Sequence, residues 1–361
     1  NNDVDSWLKT FARFLSKPGR VKPGQPIPMT GVAQVGISGL SKVQVWVTSK
    51  EVKLPAEDPN FTIMCNEVFG IGPQRNQFEP LQEEFADRIY YPPISEAAYT
   101  ALAAGAAMCG HRIFLHIGVA SFAYPALSSI ANEIATAYFS SGGRIKVPMV
   151  IHLNHGIVMG TGSQHSESPQ PIFWNTPGLE LVVPSGAYDA KGLMRTAVKS
   201  DNPTVIFTHG LLYGTEEEVP DEDYEIPFGQ AAIKRAGSDV TLVATSLTVS
   251  VAMEAAAKLA VDGIDVEVID PRTLVPLDKQ TILASVAKTG RLAVIDEANQ
   301  SCSAASEIAA IVASEGFADL KGPIIRIARA DVPIPFSPIL EERLTVTAER
   351  IADAVAAGIA G

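Results

Sequence analysis

Apolar and polar positions follow two different rhythms along this chain. Compact apolar runs fit strands at Met149–Leu153, Glu180–Val183, Val240–Ala244, Asp265–Ile269, Leu292–Ile295 and Ile324–Ile327. Helical periodicity fits a helix starting near Ala187 and others at Val249–Val261, Lys279–Ala287, Ser303–Ser314 and Val346–Ile359. Strand and helix signals take turns from Asn60 to about Pro227, and again from Gly237 to the end. That order predicts an α/β protein with two open, mainly parallel sheets covered by helices. The acidic, proline-containing segment GTEEEVPDEDYEIP (Gly214–Pro227) reads as a linker or surface excursion.

Residues 1–58 read as a short irregular N-terminal extension. Val4–Leu15 suggests a helix and Lys17–Pro28 is basic and rich in Pro and Gly. Val32–Val35 and Val43–Val47 then flank a glycine-rich turn as the arms of a β hairpin would. The expected division is therefore 1–58, 59–235 and 236–361.

Composition narrows the class. At 361 residues the chain can build two domains, each with its own core. No apolar run approaches the roughly 18–20 residues of a membrane span. Ala101–Cys109 is apolar but short and reads as a buried helix. The net charge of −12 argues against nucleic-acid binding, which needs a basic face. Cys65, Cys109 and Cys302 are widely separated and form no CxxC pair, as expected of buried thiols in a reducing cytoplasm. No signal peptide is visible, although a chain opening on Asn1 leaves a removed leader open.

Candidate chemistry concentrates between Val147 and Pro203. There a strand runs into a glycine-rich loop ending in Gln164-His165-Ser166, and a titratable imidazole at a strand's carboxyl end suits a catalytic site in an α/β domain. Glu96 is a second candidate. It follows Pro92-Pro93-Ile94-Ser95 and opens an apolar helix, where its residue type alone also fits a first-turn acid behind a Ser95 N-cap. His152 and His155 have His-x-x-His spacing, but one is placed on a strand and the other in a loop with no third ligand nearby. No metal site is expected from this chain.

The 147–203 block resembles the β subunits of the thiamine-diphosphate-dependent 2-oxo-acid dehydrogenases. Their pattern here is G-x-x-x-Q-H-S-Q-S, followed by P-G-L-K-V-V-x-P-S-x-x-x-D-A-K-G-L. The resemblance spans residues 59–358. SEAAY (Ser95–Tyr99), LYGTEEEVPDEDYEIPFG (Leu212–Gly229), DEANQSCSAASEIAA (Asp296–Ala310) and PIPFSPILEE (Pro333–Glu342) are most similar to the acetoin dehydrogenase β pattern. VIDPRTLVPLD (Val268–Asp278) looks like the transketolase C-terminal domain. The resemblance implies a transketolase-like pyrimidine-binding domain over 59–235 and a transketolase-like C-terminal domain over 236–361.

It also implies roles. Glu96, in the family's P-I-S-E, would hydrogen-bond N1′ of the cofactor's aminopyrimidine, setting the tautomer that activates C2. His165 would face the reacting carbon and move a proton there. Phe122 would pack beside the pyrimidine, unless it is an ordinary core residue, and Asn66 and Gln164 complete the cofactor-binding set. These enzymes hold diphosphate and Mg²⁺ through a G-D-G motif that this sequence lacks, so those ligands are expected from an α subunit, in an α2β2 heterotetramer. Asn66, Ser128-Ser129 and Glu167 depart from the family pattern, and His116 stands where it usually has a glutamate, beside the strand end.

Three functions compete. The leading one is an enzyme: the β subunit of a cytoplasmic thiamine-diphosphate-dependent oxidoreductase. It would cleave a small 2-oxo acid such as pyruvate, or an acetoin-like acyloin, and pass the fragment to an acceptor such as a lipoyl-E2 acyltransferase. An acyloin or ketol transferase that needs no lipoyl acceptor, and a catalytically silent structural subunit of the same complex, are the alternatives.

Overall fold

The computed structural model describes residues 58, 60–65, 86–158 and 160–360; the expected N-terminal hairpin and Asn66 lie outside them. Two sheets carry the chain. The first has seven strands: β1 (Phe61–Cys65), β2 (Ile89–Tyr90), β3 (Arg112–Val119), β4 (Met149–His155), β5 (Glu180–Val182), β6 (Thr204–His209) and β10 (Thr273–Val275). Their order is β10-β5-β6-β4-β3-β1-β2. β7 (Ala232–Arg235), β8 (Val240–Ala244), β9 (Val266–Asp270), β11 (Leu292–Asn299) and β12 (Ile325–Arg329) form the second, in the order β12-β11-β8-β9-β7. Every pairing is parallel except β10 on β5 and β7 on β9, so both sheets are mainly parallel, as the alternation predicts.

The long helices are α1 (Glu96–Met108), α2 (Ala187–Lys199), α3 (Thr248–Val261), α4 (Lys279–Thr289), α5 (Ala304–Glu315) and α6 (Ala348–Ala360). All residues of β4, β6, β8 and β9 are buried. Strands covered on both faces show no solvent-facing side, so their sequences lack the strict apolar–polar alternation of a half-exposed strand. One apolar cluster continues through both sheets, from Leu115, Ile151 and Phe207 to Val243, Val294 and Ile308. Among the described residues no helix is long and apolar enough to cross a membrane.

Two features tie the halves together. After β9 the chain turns through Arg272, at φ 61°, and β10 closes the edge of the other sheet. Beneath that turn, buried Asp189 of α2 accepts two contacts of 2.8 Å from the Arg272 guanidinium and one of 2.5 Å from Lys234 of β7. Neighbouring Asp270 is pushed up to about 6, first by burial and then by the charge of Asp189. The acidic 214–227 segment is a surface excursion strapped onto α2. Arg195 forks onto Asp223, and the Tyr188 and Tyr224 rings stack at 4.6 Å.

The structure corrects three readings. Of the three cysteines expected to be buried, Cys65 is buried but Cys109 and Cys302 are exposed. His155 is the last residue of β4, not a loop residue, because pairing with β6 runs on through Asn154↔Thr208 and His155↔His209. His116 lies within β3, paired with His152 of β4, and not beside its end.

Candidate active site around Glu96, Phe122 and His165

Pro92 and Pro93 hold the approach to α1 extended, since a residue before proline is kept out of the helical region. Ser95 occupies the N-cap position at φ −163° and ψ 86°, with no hydrogen bond from its side chain, so the capping role proposed for it goes unfilled. Glu96 starts the helix half-buried, favoured there by the helix dipole. One turn on, the Tyr99 hydroxyl is buried without a hydrogen-bond partner. Burial, and secondarily the Glu96 charge, raise its pKa, which sets the carboxylate and phenol within electrostatic reach. Ala103, Ala106 and Ala107 then make a face small enough for α1 to pack on β3 and on the turn that follows β3.

That turn, the 3-10 segment Ala120–Ala126, carries Phe122. Ser121 donates its hydroxyl to the Gln164 carbonyl. The Phe122 ring meets His165 edge-on, with centroids 5.3 Å apart and planes at 73°. Downstream, Ser129 of the Ser128-Ser129 pair that departs from the family pattern opens a π-helical turn, Ser129–Ile134.

His165 reaches Phe122 because the loop after β4 can double back. Gly156, Gly160 and Gly162 all have φ between 68° and 92°, where a Cβ would be strained. The loop ends in a single helical turn, Ser163–Ser166, closed by the His165 N–H on the Gly162 carbonyl at 3.2 Å. Ser166 points inward, its hydroxyl 2.5 Å from that of Thr161, while the Gln164 and His165 side chains are exposed. The structure thus brings Phe122, His165 and the Gln164 backbone into contact and places Glu96 on the helix packed against the same segment. Asn66 falls outside the described residues.

Four other imidazoles are buried away from this cluster. Nδ1 of His116 and Nδ1 of His152 lie 2.9 Å apart in stacked rings, and His152 Nε2 is 3.0 Å from the Thr208 hydroxyl. Burial pushes His116 down to about 4 and His152 well below its usual value. His155 is surrounded by Ser168, Gln170 and Ser246, and burial with the neighbouring His209 lowers it strongly. His209 accepts the Leu211 N–H on Nδ1, so its proton sits on Nε2, 2.5 Å from Glu297. Among the described residues no group of His, Cys, Asp or Glu is placed to hold a metal ion. Sequence reasoning missed His209, Ser246 and Glu297, which meet only through the fold.

Comparison with known proteins agrees with this architecture. Residues 47–215 match the transketolase pyrimidine binding domain and residues 229–351 the transketolase C-terminal domain. The fold and the two domain matches therefore define a transketolase-type protein. A split-gene transketolase solved as an inactive β4 tetramer superposes with a TM-score of 0.71 over 86% of this chain and 95% of that one, at 23% identity.

The chain belongs, more narrowly, to the β-subunit family of the thiamine-diphosphate-dependent dehydrogenases. It is 42% identical to the acetoin:2,6-dichlorophenolindophenol oxidoreductase β subunit of Bacillus subtilis, over 75% of this chain and 79% of that one. The pyruvate dehydrogenase E1 β subunit of Staphylococcus epidermidis is 39% identical over 72% of this chain and 80% of that protein. The 2-oxoisovalerate dehydrogenase β subunit of Bacillus subtilis is 37% identical over 75% and 84%.

Proposed function

We propose that this chain supplies the pyrimidine-side half of a thiamine diphosphate site shared with an α subunit. In this reading the complex is an α2β2 heterotetramer that cleaves an acetoin-like acyloin or a small 2-oxo acid and passes the fragment to an acceptor such as lipoyl-E2. The observation that carries it is the Phe122–His165 contact, made on the segment that packs against the helix opening with Glu96.

The donor set fits the pyrimidine half of the cofactor. A half-buried carboxylate can share a proton with a ring nitrogen, and an aromatic edge can flank a planar ring. Diphosphate and Mg²⁺ call for several oxygen ligands, and these are assigned to the partner. When bound, thiamine diphosphate supplies the nucleophilic carbon that makes cleavage beside a carbonyl feasible.

This chain's residues do the rest. Glu96 holds a proton at the pyrimidine nitrogen from its place at the opening of α1. His165, exposed on its turn, gives or takes a proton at the substrate oxygen, since an imidazole nitrogen can act as donor or acceptor. Phe122 holds the His165 ring edge-on and limits its rotation.

Reconstitution with an α-type subunit, Mg²⁺ and thiamine diphosphate tests this, with a dye as electron acceptor and acetoin, pyruvate and branched 2-oxo acids as substrates. Dye reduction on one of them, lost in His165→Ala, is expected. A complex that binds the cofactor but turns over none of them would make the chain a silent structural subunit.

A further inference from the structure

The turn Pro338–Glu342 has its polarity reversed. Ile339 is 71% exposed and Leu340 49%, while Glu341 is only 2% exposed. Burying a carboxylate and exposing two aliphatic chains is costly unless the carboxylate is needed where it lies. Its Oε2 accepts the Gly160 N–H at 2.5 Å, in the glycine-rich loop leading to His165. Its Oε1 is buried with no partner.

The same loop is held at both ends from the second domain. Glu297 Oε1 accepts the Ile157 N–H at 3.0 Å, where the loop leaves β4. Beyond His165, Glu167 pairs at 3.0 Å with Arg329, itself 1% exposed. Glu167 is where the family pattern has glutamine, and its charge makes this contact an ion pair. Phe336 closes over the loop as well: a Cβ on Gly162 would come within 3.1 Å of its ring.

We infer that Glu341 is a positioning residue for His165: it fixes the loop through Gly160 and so places the imidazole for proton transfer. The inference rests on the proposed catalytic role of His165. A loop of three left-handed glycines has low intrinsic order, and three contacts from one rigid domain supply it. Because all three come from the second domain, any displacement of that domain moves His165 too.

Amide hydrogen exchange on the full chain, with kinetics of the reconstituted complex, tests this. Glu341→Ala should speed exchange across residues 156–166 by about tenfold or more, the scale of one charge-assisted hydrogen bond, while β4 and β6 exchange as before. Glu341→Gln keeps an oxygen for the Gly160 N–H and should restore most of the protection. In turnover, Glu341→Ala should lower kcat by about tenfold and leave KM within about threefold, the pattern of a misplaced group, with recovery in Glu341→Gln. Wild-type exchange in the loop of Glu341→Ala overturns the inference whatever the turnover. Wild-type turnover in His165→Ala instead overturns the catalytic reading, and the exchange result then stands as a structural clamp only.

Discussion

Lowering the pH from 7 to 5 should cost this protein far more stability than its surface charges explain. His116, His152 and His155 are buried on β3 and β4, and the partners of their ring nitrogens among the described residues are hydroxyls, an amide and other imidazoles. Folding holds each as a neutral ring with a pKa below its unfolded value, so the unfolded chain binds more protons between the two. Stability is therefore fully present above about pH 6.5 and is lost as pH falls. For His116, held near 4, the loss between pH 7 and 5 is about 2 kcal/mol. His152 and His155 add to this, although the first shares its proton balance with His116 through the 2.9 Å contact. In His116→Gln, which keeps a hydrogen-bonding partner for His152 but cannot titrate, about 2 kcal/mol of the pH dependence should vanish. Urea midpoints for both proteins at pH 7 and pH 5 give the difference. Equal pH dependence in the two, or a ¹⁵N-histidine resonance titrating near 6.5 for each imidazole, would refute the argument.

Two further substitutions probe the frame. Gly156→Ala would push a Cβ into the His209 ring and to 2.8 Å from Glu297, at φ +92°; strain of about 1–2 kcal/mol and overpacking of about 1–3 kcal/mol should add to a large loss in unfolding midpoint. Gly105→Ala, an exposed helical position with nothing within 4 Å, should instead gain about 0.5–1 kcal/mol, and a loss there would contradict the packing of α1. Asp223→Asn should weaken the fork from Arg195 by about 1 kcal/mol and expose residues 215–227 to limited proteolysis, with the first cuts mapped by mass spectrometry.

The parts of the fold legible in the sequence were those with a compact apolar run or a sustained helical periodicity. β8, β9, β11 and β12 lie within a few residues of their apolar runs, and α3 to α6 follow their periodicity. β7 and β10 escaped because each is short, partly polar and antiparallel at an edge, where no strand covers one side. His155 was placed in a loop because a polar residue ends the apolar run before the ladder ends. Glu96 and His165 stood out as candidates from their local sequence settings, but their proposed roles, and Phe122 altogether, came only from the family pattern, which carries spacing that periodicity does not. The clamp on the His165 loop was not legible: Gly160 and Glu341 are 181 residues apart and Glu167 and Arg329 are 162 apart. Glu341 sits in a quoted family segment, yet only the three-dimensional structure shows that this carboxylate faces inward beside two outward aliphatic residues.

The central claim is that Glu96 handles a proton at the pyrimidine nitrogen, and C2 hydrogen–deuterium exchange of thiamine diphosphate in the reconstituted complex tests it most directly. Glutamine can hydrogen-bond to that nitrogen but cannot exchange a proton with it. Glu96→Gln, folded and assembled, should therefore slow C2–H exchange by roughly 10²–10⁴-fold, the effect of losing a positioned acid–base group. His165→Ala should leave the same exchange untouched. If Glu96→Gln exchanges C2–H at the wild-type rate, Glu96 is only the acid that opens α1.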